Sequence, residues 1–170
     1  MQDLLELGKP MDRENVLQVP IAKLCATTIE LWEKSSKTKH TIQFEDTDNV
    51  GELEILMDEN KLQQVLIHLL ENASQNSPEQ STISLQLHRV DQNDVVIRVV
   101  DRGAGIPAEH IHDLFEPFFT TRRQGTGLGL SIVKHIVTTH GGTINAYNNA
   151  DSPGSTFEIS FPMKTEIFPE

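Results

Sequence analysis

The sequence predicts an α+β fold built as a two-layer sandwich, with helices packed against a sheet. Its 170 residues are sufficient for one domain with a substantial core, and 37% hydrophobic with 23% charged residues is an ordinary globular composition. Helix-like and strand-like segments follow one another without strict alternation. That order favours an α+β sandwich over a doubly wound parallel sheet.

Three long segments with helical hydrophobic periodicity predict the main helices. They cover residues 19–37, 58–75 and 127–140. Asp58 is the expected N-cap of the second helix, and Gly141-Gly142 is the expected stop of the third. A shorter helix is predicted at residues 108–114.

Six short segments predict strands, and turn signals separate them. The segment 95–101 is almost continuous Val and Ile, as expected for a central strand. It is joined to the segment before it by Asp91-Gln92-Asn93-Asp94, a strong hairpin signal. The six predicted strands are 41–45, 53–57, 82–90, 95–101, 143–148 and 155–162.

Charge and residue usage exclude several classes of function. The net charge of −11, from 14 basic and 25 acidic residues, argues against a nucleic-acid partner. The sequence contains no run of about 18 apolar residues, so we expect no membrane contact by this chain. The single cysteine, Cys25, cannot form an internal disulfide, which is consistent with a reducing cytosol, and we expect it to be a small buried residue.

The string Asp101-Arg102-Gly103-Ala104-Gly105 is the first candidate binding feature. Asp101 ends a strand predicted to be buried, where a carboxylate needs a dedicated partner. An ionised Asp only accepts hydrogen bonds, so an exocyclic amine such as adenine N6 suits it. Gly103 and Gly105 permit positive φ and the close approach of a flat base. A β-turn between strand and helix is the structural alternative.

The second candidate feature is Gly125-Thr126-Gly127-Leu128-Gly129, at the start of the third predicted helix. Its bare backbone N–H groups and the helix dipole favour an anion. The string is not a Walker A loop, because no Gly-Lys-Ser/Thr follows it. It is not a dinucleotide fingerprint either, because its glycine offsets differ and no strand immediately precedes it. The alternative is a loose linker.

Asn72 is the third candidate, on the second predicted helix among apolar neighbours. Its neutral amide oxygen is a reasonable ligand for a Mg²⁺ that keeps several waters and bridges phosphates. A hydrogen-bonded core asparagine or an ordinary helix-end residue is the alternative. Together with the two glycine strings, Asn72 predicts a nucleotide site at which a helix, an Asp-Gly loop and a Gly-rich helix start converge.

Four strings resemble the N, G1, F and G2 boxes of sensor histidine kinases, in that family's order. These are HLLENA (68–73), DRGAGIP (101–107), LFEPFFTTR (114–122) and GTGLGLSIVKHIVTTHGG (125–142). The resemblance covers residues 4–162, and the short stretch 115–125 is most similar to the subgroup with a compact ATP lid. It implies the Bergerat fold of the wider gyrase, chaperone and histidine kinase ATPases. That fold is a two-layer α/β sandwich, with a mixed, mostly antiparallel sheet and about three helices on one face.

The resemblance also implies a domain organisation. Residues 1–15 resemble the end of the second dimerisation helix with a linker, residues 16–162 form the catalytic ATP-binding domain, and residues 163–170 form a flexible tail. None of the seven histidines lies in a His-Glu/Asp-x-x-x-Pro setting. The acceptor histidine is therefore expected on a separate dimerisation domain, so no catalytic residue is assigned within this chain. Alone, the chain is expected to be inactive in autophosphorylation.

The resemblance implies binding of ATP, or ADP, with Mg²⁺. Asn72 would ligate the metal, Asp101 would hold the adenine amine, and Gly103 and Gly105 would shape the adenine pocket. The phosphates would lie on Gly125, Thr126, Gly127 and Gly129, and residues 115–119 would hinge the lid. Arg122 would lie near the γ-phosphate or, alternatively, be a solvated loop charge. The remaining predicted nucleotide-site residues are His68, Asn76, Ile106, Phe118, Thr121, Leu128 and Leu130.

The sequence departs from the family pattern on the second predicted helix. His68 occupies a position where the family usually has Asn and where gyrase-like ATPases place a catalytic Glu, which argues against hydrolysis of their type. His68 faces the phosphates through water or is an ordinary helix histidine. Gln75 and Asn76 replace the basic and aromatic residues of some members, which leaves phosphate and ribose contacts at that edge open.

The resemblance predicts a function within a two-component system. The domain binds Mg-ATP and donates the γ-phosphoryl group to a histidine on its own dimerisation and histidine-phosphotransfer domain, and the full-length kinase then signals to a response regulator. The alternatives are an anti-sigma-factor-type serine kinase and a non-catalytic nucleotide-binding interaction module of the same fold. The expected location is the cytoplasm, for a parent protein that is either free or anchored in the inner membrane.

Overall fold

The computed structural model describes residues 5, 7, 8, 15–37 and 39–163. Its main elements, in chain order, are β1 (Val16–Pro20), α1 (Ile21–Ser35), β2 (Thr41–Asp46), β3 (Glu54–Asp58), α2 (Glu59–Asn76), β4 (Thr82–Arg89), β5 (Asp94–Val100), α3 (Gly129–Thr139), β6 (Thr143–Asn148) and β7 (Ser155–Pro162). Two short 3₁₀ helices, Val50–Glu52 and Ala108–His110, lie in connections.

A five-stranded mixed sheet is the centre of the fold. Its strand order is β2-β4-β5-β7-β6, with β2 parallel to β4 and every other neighbouring pair antiparallel. The three helices contribute buried residues to one hydrophobic core with this sheet. The predicted α+β class, with a mixed, mostly antiparallel sheet and three helices, is confirmed.

Alternation along the strands decides which face of the sheet the helices cover. Leu85 of β4 is buried in the same core as Leu69 of α2, and burial of a leucine side chain contributes about 1.5–3 kcal/mol. The next residue, Gln86, points to the opposite face, opposite Arg98 of β5. On that face the Arg98 Nε donates to Glu158 Oε2 at 2.6 Å. One face of the sheet is therefore apolar and the other polar.

A small second sheet, in which β1 pairs antiparallel with β3, was not predicted. The helix predicted from residue 19 begins at Ile21 instead, because Pro20 is extended, with φ −70° and ψ 105°, and forms the helix N-cap position. Strand β1 is difficult to predict from the sequence because its apolar residues do not alternate between buried and exposed. Leu17 is 67% exposed, so the period-two signal of a half-buried strand is absent.

The ends of α2 agree with the prediction. Asp58 Oδ1 accepts hydrogen bonds from the backbone N–H groups of Asn60 at 2.9 Å and Lys61 at 3.4 Å. The Ser77 N–H donates to the Ala73 carbonyl at 3.0 Å, and Pro78 then prevents continuation. Because both ends are defined by hydrogen bonds, α2 is a firm support for the polar residues of its last two turns.

Helix α3 starts two residues later than predicted and ends as predicted. Gly127 has φ +70°, which is left-handed, so the helix begins only at Gly129. At the other end Gly141 has φ +77°, and the Gly142 N–H donates to the Val137 carbonyl at 2.9 Å. This is a Schellman termination, which favours glycine at the left-handed position.

The helix predicted at residues 108–114 is wrong in type. Only Ala108–His110 is helical there, as a 3₁₀ turn, and the segment continues through further turns. The His110 N–H donates to the Pro107 carbonyl at 2.9 Å, and the Asp113 N–H donates to the His110 carbonyl at 3.0 Å. These bonds span three residues, as in a 3₁₀ helix. A segment this short forms too few hydrogen bonds to offset the unfavourable free energy of α-helix nucleation.

Three further expectations concern the core, the membrane and the chain ends. Cys25 is buried as predicted, and burial raises the pKa of its thiol to about 12. Within the described ranges, no helix has the length and apolar character needed to cross a membrane. The predicted dimerisation-helix remnant (1–15) and tail (163–170) lie outside the described residues, apart from residues 5, 7, 8, 15 and 163.

Candidate functional site

A cavity of about 440 Å³ lies between α2, the start of α3 and the long connection from β5 to α3. Most of the predicted site residues line it. They are His68, Asn72, Asn76, Asp101, Gly105, Ile106, Thr121, Arg122, Gly125, Thr126, Gly127, Gly129 and Leu130. Residues from four separate strings of the sequence therefore meet around one space, as the predicted convergence requires.

Three predicted site residues lie outside the cavity lining. Gly103 lies beside Asp101, and its N–H donates to Asp101 Oδ1 at 2.8 Å. Leu128 is a buried core residue whose carbonyl accepts the first backbone hydrogen bond of α3. Phe118 is 63% exposed, with φ +68°, and its N–H donates to the Gly127 carbonyl at 3.0 Å. These three residues therefore contribute to the backbone conformation around the cavity rather than to its lining.

Asp101 is held rigidly at one end of the cavity, with 1% of its surface exposed. Its Oδ1 accepts from the backbone N–H groups of Gly103 at 2.8 Å and Ser155 at 3.1 Å, and its Oδ2 accepts from the Ser155 hydroxyl at 2.6 Å. A carboxylate oxygen has more than one lone pair, so Oδ2 keeps acceptor capacity for a ligand. A buried carboxylate with this support can bind an N–H donor such as an amine.

Ser155 is a site residue that sequence analysis missed. It is the first residue of β7, and the Asp101 N–H donates to its carbonyl at 2.9 Å, so it lies against the end of β5. Nothing in the local sequence marks Ser155, because its role depends on the pairing of two strands that are distant in the chain. Glycine is needed at position 154, immediately before Ser155, because a Cβ on Gly154 would lie 2.9 Å from Asp101 Oδ1.

The two glycines of the Asp-Gly loop are required for different reasons, which corrects the prediction of positive φ at both. Gly105 has φ +84°, whereas Gly103 has no positive φ. A Cβ on Gly103 would lie 2.5 Å from the Asn76 carbonyl oxygen, so glycine is needed there for the close approach of loop and helix. Asn148, also missed, fixes the loop: it accepts from the Ile106 N–H at 2.7 Å and donates to the Ile106 carbonyl at 3.0 Å.

Three side-chain amides on the last turns of α2 contact Arg122. The guanidinium donates to Asn72 Oδ1 at 3.3 Å, to Asn76 Oδ1 at 3.0 Å and to Gln75 Oε1. Burial lowers the pKa of Arg122 from its ordinary value. Within the described part of the chain the Asn72 Nδ2 is buried without a hydrogen-bond partner. The site thus contains an unsatisfied donor, which favours a ligand with acceptor oxygens.

The Gly-rich string brings the start of α3 to the cavity that Asp101 also lines. Gly127 and Gly129 both line the cavity, and no side chain among the described residues caps the first turn of the helix. The uncapped N–H groups and the positive end of the helix dipole are therefore available to an anion. His68 lies nearby, since its Nδ1 is 3.5 Å from the position that a Cβ on Gly129 would take.

The phenylalanine string reaches the cavity through Leu114 and Phe119. Phe115 packs edge-on against Phe157 of β7, with ring centroids 6.2 Å apart, and Phe119 contacts His110 at 5.3 Å. Lining residues that were not predicted as site residues are Glu71, Gln75, Ala104, Pro107, His110, Leu114, Phe119, Thr120, Gln124, Ser155 and Phe157. Most of them flank predicted residues, so neighbourhood in the sequence was the signal that could have found them.

Comparison with known proteins decides what kind of domain carries this cavity. Residues 57–165 match the family described as "Histidine kinase-, DNA gyrase B-, and HSP90-like ATPase". The chain belongs to this family. Among its relatives is the sensor protein KdpD of Clostridium acetobutylicum, 33% identical over 96% of this chain and 19% of KdpD. The sensor histidine kinase ZraS of Escherichia coli K12 is 36% identical over 96% of this chain and 34% of ZraS.

A solved structure gives the same result for this ATPase domain. The catalytic domain of the histidine kinase ThkA matches with a TM-score of 0.79 and 31% identity, over 93% of this chain and 100% of that one. The predicted resemblance to sensor histidine kinases is confirmed. The chain spans only 19% of the length of KdpD and 34% of the length of ZraS. Both relatives are therefore much longer proteins.

The cavity of the ATPase domain is lined by chemically different groups. Asp101 supplies an acceptor, and the start of α3, Arg122 and the Asn72 amide supply donors. In the described ranges no group of three or more His, Cys, Asp or Glu could hold a metal alone. The donor set does fit Mg²⁺ that arrives with a phosphate ligand, because Mg²⁺ takes oxygen ligands and commonly uses one or two from the protein.

Proposed function

We propose that this domain binds Mg-ATP and donates the γ-phosphoryl group to a histidine on a separate dimerisation domain of a two-component kinase. One observation carries the proposal. A single cavity is lined by the buried carboxylate of Asp101, by the uncapped start of α3 and by Asn72 of α2. An acceptor for adenine and a cradle for phosphates thus face one space.

At the adenine end, Asp101 would accept a hydrogen bond from the exocyclic N6 amine. Its backbone and Ser155 partners hold the carboxylate in one orientation before the nucleotide arrives. Gly105 and Ile106 line the same end, and the Asn148 side chain fixes the backbone between them. Because these groups are already ordered, little conformational entropy is lost when the base binds.

At the phosphate end, Gly125, Thr126, Gly127 and Gly129 would hold the phosphates, with the free backbone N–H groups at the start of α3 as donors. Thr121 and Leu130 also line this part of the cavity, and Arg122 supplies a positive charge. Phosphoryl transfer requires positioning and charge neutralisation rather than covalent catalysis by the enzyme. His68 is close enough to Gly129 to contribute through a water molecule.

Magnesium would be held by Asn72 Oδ1, and its chemistry there would be neutralisation of phosphate charge. Asn72 is well suited because its buried Nδ2 remains a free donor for a phosphate oxygen in the part of the chain that is described. Asn76, one position beyond Gln75, would complete the polar edge of α2. The chain's own contribution is to orient the triphosphate with its γ-phosphate toward the lid.

The acceptor histidine would belong to the kinase's own dimerisation and histidine-phosphotransfer domain. Residues 16–162 would form the catalytic domain. We propose a cytoplasmic location for the domain and a response regulator as the downstream partner. The relatives named as a sensor protein and as sensor histidine kinases support the assignment to a sensor kinase.

The Asp101→Asn substitution tests the nucleotide site. We expect it to abolish ATP binding in isothermal titration calorimetry, because an Asn cannot accept from Gly103 and Ser155 and still present an acceptor to adenine. Asp151→Asn, which changes an exposed turn carboxylate, is the matched control and should bind ATP as the unchanged protein does. Circular dichroism checks that both variants are folded. Retained ATP affinity in folded Asp101→Asn would contradict the proposal.

Transfer in trans distinguishes a histidine kinase from a serine kinase or a binding module. We expect the chain with labelled ATP to phosphorylate an added sensor-kinase dimerisation domain on its histidine, and not to label itself. Acid lability and base stability identify phosphohistidine. Label on this chain alone, or a base-labile phosphoserine on a protein substrate, would refute the assignment.

A further inference from the structure

The contact of Arg122 with α2 joins the lid to the helix that carries the predicted magnesium ligand. Asn72, Gln75 and Asn76 have helical spacings of three and four residues, so their amides share one face of α2. All three present an oxygen to the same guanidinium. An array of oxygens around one cation is a general cation site, and here the cation is a side chain of the protein.

The backbone around Arg122 is arranged to support this contact. The Arg122 N–H donates to Thr120 Oγ1 at 3.1 Å, and its carbonyl accepts from the Gly125 N–H at 3.4 Å. The lid is therefore a turn with Arg122 directed toward α2. The Phe118 N–H, before this turn, donates to the carbonyl of Gly127, after it, and so joins the two sides of the lid. The guanidinium is the feature that connects this turn to the amides of α2.

The same contact determines the orientation of Asn72. A guanidinium only donates hydrogen bonds, so the Asn72 amide turns its oxygen to Arg122 and leaves Nδ2 buried without a partner in the described residues. Oδ1 is also the atom assigned to Mg²⁺. A guanidinium and Mg²⁺ at that same oxygen would repel each other, and the repulsion between two cations is stronger where water is partly excluded.

We propose that Arg122 is a positioning residue that latches the lid onto the Asn72–Gln75–Asn76 amide triad, and that Mg-nucleotide binding exchanges the guanidinium for Mg²⁺ at Asn72 Oδ1. The exchange step rests on the proposed function of Asn72 as a magnesium ligand. The released Arg122 is then free to approach the phosphates, and the phosphate oxygens satisfy Asn72 Nδ2. The lid thereby responds to the metal as well as to the nucleotide.

Hydrogen exchange on the complete chain without nucleotide tests the latch. Arg122→Ala and Gln75→Leu each remove contacts of the latch, so we expect amide exchange across residues 119–126 to be about fivefold faster, as for the loss of a partly exposed ionic hydrogen-bond network. Arg123→Ala removes the neighbouring lid arginine, which does not line the cavity, and should leave these rates unchanged. Unchanged rates in both Arg122→Ala and Gln75→Leu would overturn the latch.

Calorimetric titration of ADP over a series of Mg²⁺ concentrations tests the exchange. ADP lacks the γ-phosphate, so loss of a γ-phosphate contact cannot mask the result. We expect Arg122→Ala to need about threefold less Mg²⁺ for half of the gain in ADP affinity, because no guanidinium competes for Asn72 Oδ1. Arg123→Ala should need the same concentration as the unchanged protein.

The outcomes separate the latch from the proposed function. A Mg²⁺ requirement that is unchanged or higher in Arg122→Ala overturns the exchange. Failure of the unchanged protein to bind ADP at any Mg²⁺ concentration refutes the proposed function and the exchange with it, while the hydrogen-exchange rates still decide the latch. Faster lid exchange together with a lower Mg²⁺ requirement supports both parts of the inference.

Discussion

Replacement of Ser155 by Ala tests whether the missed residue of β7 supports the candidate site. The Ser155 hydroxyl donates to Asp101 Oδ2 at 2.6 Å, and the Asp101 side chain is buried. The substitution removes this donor and leaves the two backbone donors to Oδ1, from Gly103 and from residue 155 itself. Serine and alanine differ by one oxygen, so packing changes little and the hydrogen bond is the main loss.

The expected cost follows from the charge and the burial of the carboxylate. A hydrogen bond to a charged group contributes about 1.5–3 kcal/mol to stability, and the short Oγ–Oδ2 distance identifies this as a strong one. For a domain of this size each kcal/mol lowers the Tm by about 2–4 °C, so Ser155→Ala should lower it by about 3–12 °C. ADP affinity should fall about tenfold, a loss of about 1.4 kcal/mol, because the freed carboxylate loses its single orientation.

Urea denaturation followed by circular dichroism measures the change in the free energy of unfolding. Ser160→Ala is the matched control on the same strand, because the Ser160 hydroxyl pairs with Thr143 Oγ1 at 2.7 Å on an exposed surface. It should change stability by less than about 0.5 kcal/mol. If Ser155→Ala were as stable as Ser160→Ala, Asp101 Oδ2 would not depend on Ser155 and the reasoning would be refuted.

The remaining predictions concern the two ends of α3. Gly127→Ala should destabilise the domain by about 1–3 kcal/mol, because Gly127 has φ +70° and a Cβ there would lie 2.7 Å from the Phe118 Cα. Gly129→Ala, where the nearest atom is 3.5 Å away, should instead raise the Tm, and equal effects in thermal denaturation would contradict this. Burial lowers the pKa of His140 below 6.5, so the unfolded chain binds a proton that the folded chain does not. Stability should therefore decrease as the pH falls below 6.5, and His140→Asn should reduce that decrease in urea titrations between pH 7 and pH 5.

Much of the fold was predictable because its signals are local. The cap at Asp58 and the stop at Gly141 depend on neighbouring backbone groups, so residue type alone indicates them. Strands β6 and β7 were predicted with the bounds that the structure has. Strand β1 was not, because its stability comes from pairing with β3 and its own residues lack alternation.

The candidate site also contains a part that could be predicted from the sequence and a part that could not. The convergence of Asn72, Asp101 and the Gly-rich string was predicted from motifs, and the cavity contains all three. Ser155 and Asn148 were missed because each acts on a loop that is distant in sequence. Their roles arise from the pairing of β7 with β5 and from the end of β6, which no local pattern reveals.

The sequence by itself determined the class of the domain, its family resemblance and many of the residues that line the cavity. Hydrophobic periodicity, caps and glycine strings are properties of short segments, so they can be recognised from the sequence alone. Only the tertiary structure decided how the polar groups pair. It sets the Ser155 hydroxyl on Asp101 and the Arg122 guanidinium on the amides of α2. Hydrogen bonds between distant segments depend on distances of a few ångströms, which the folded chain alone defines.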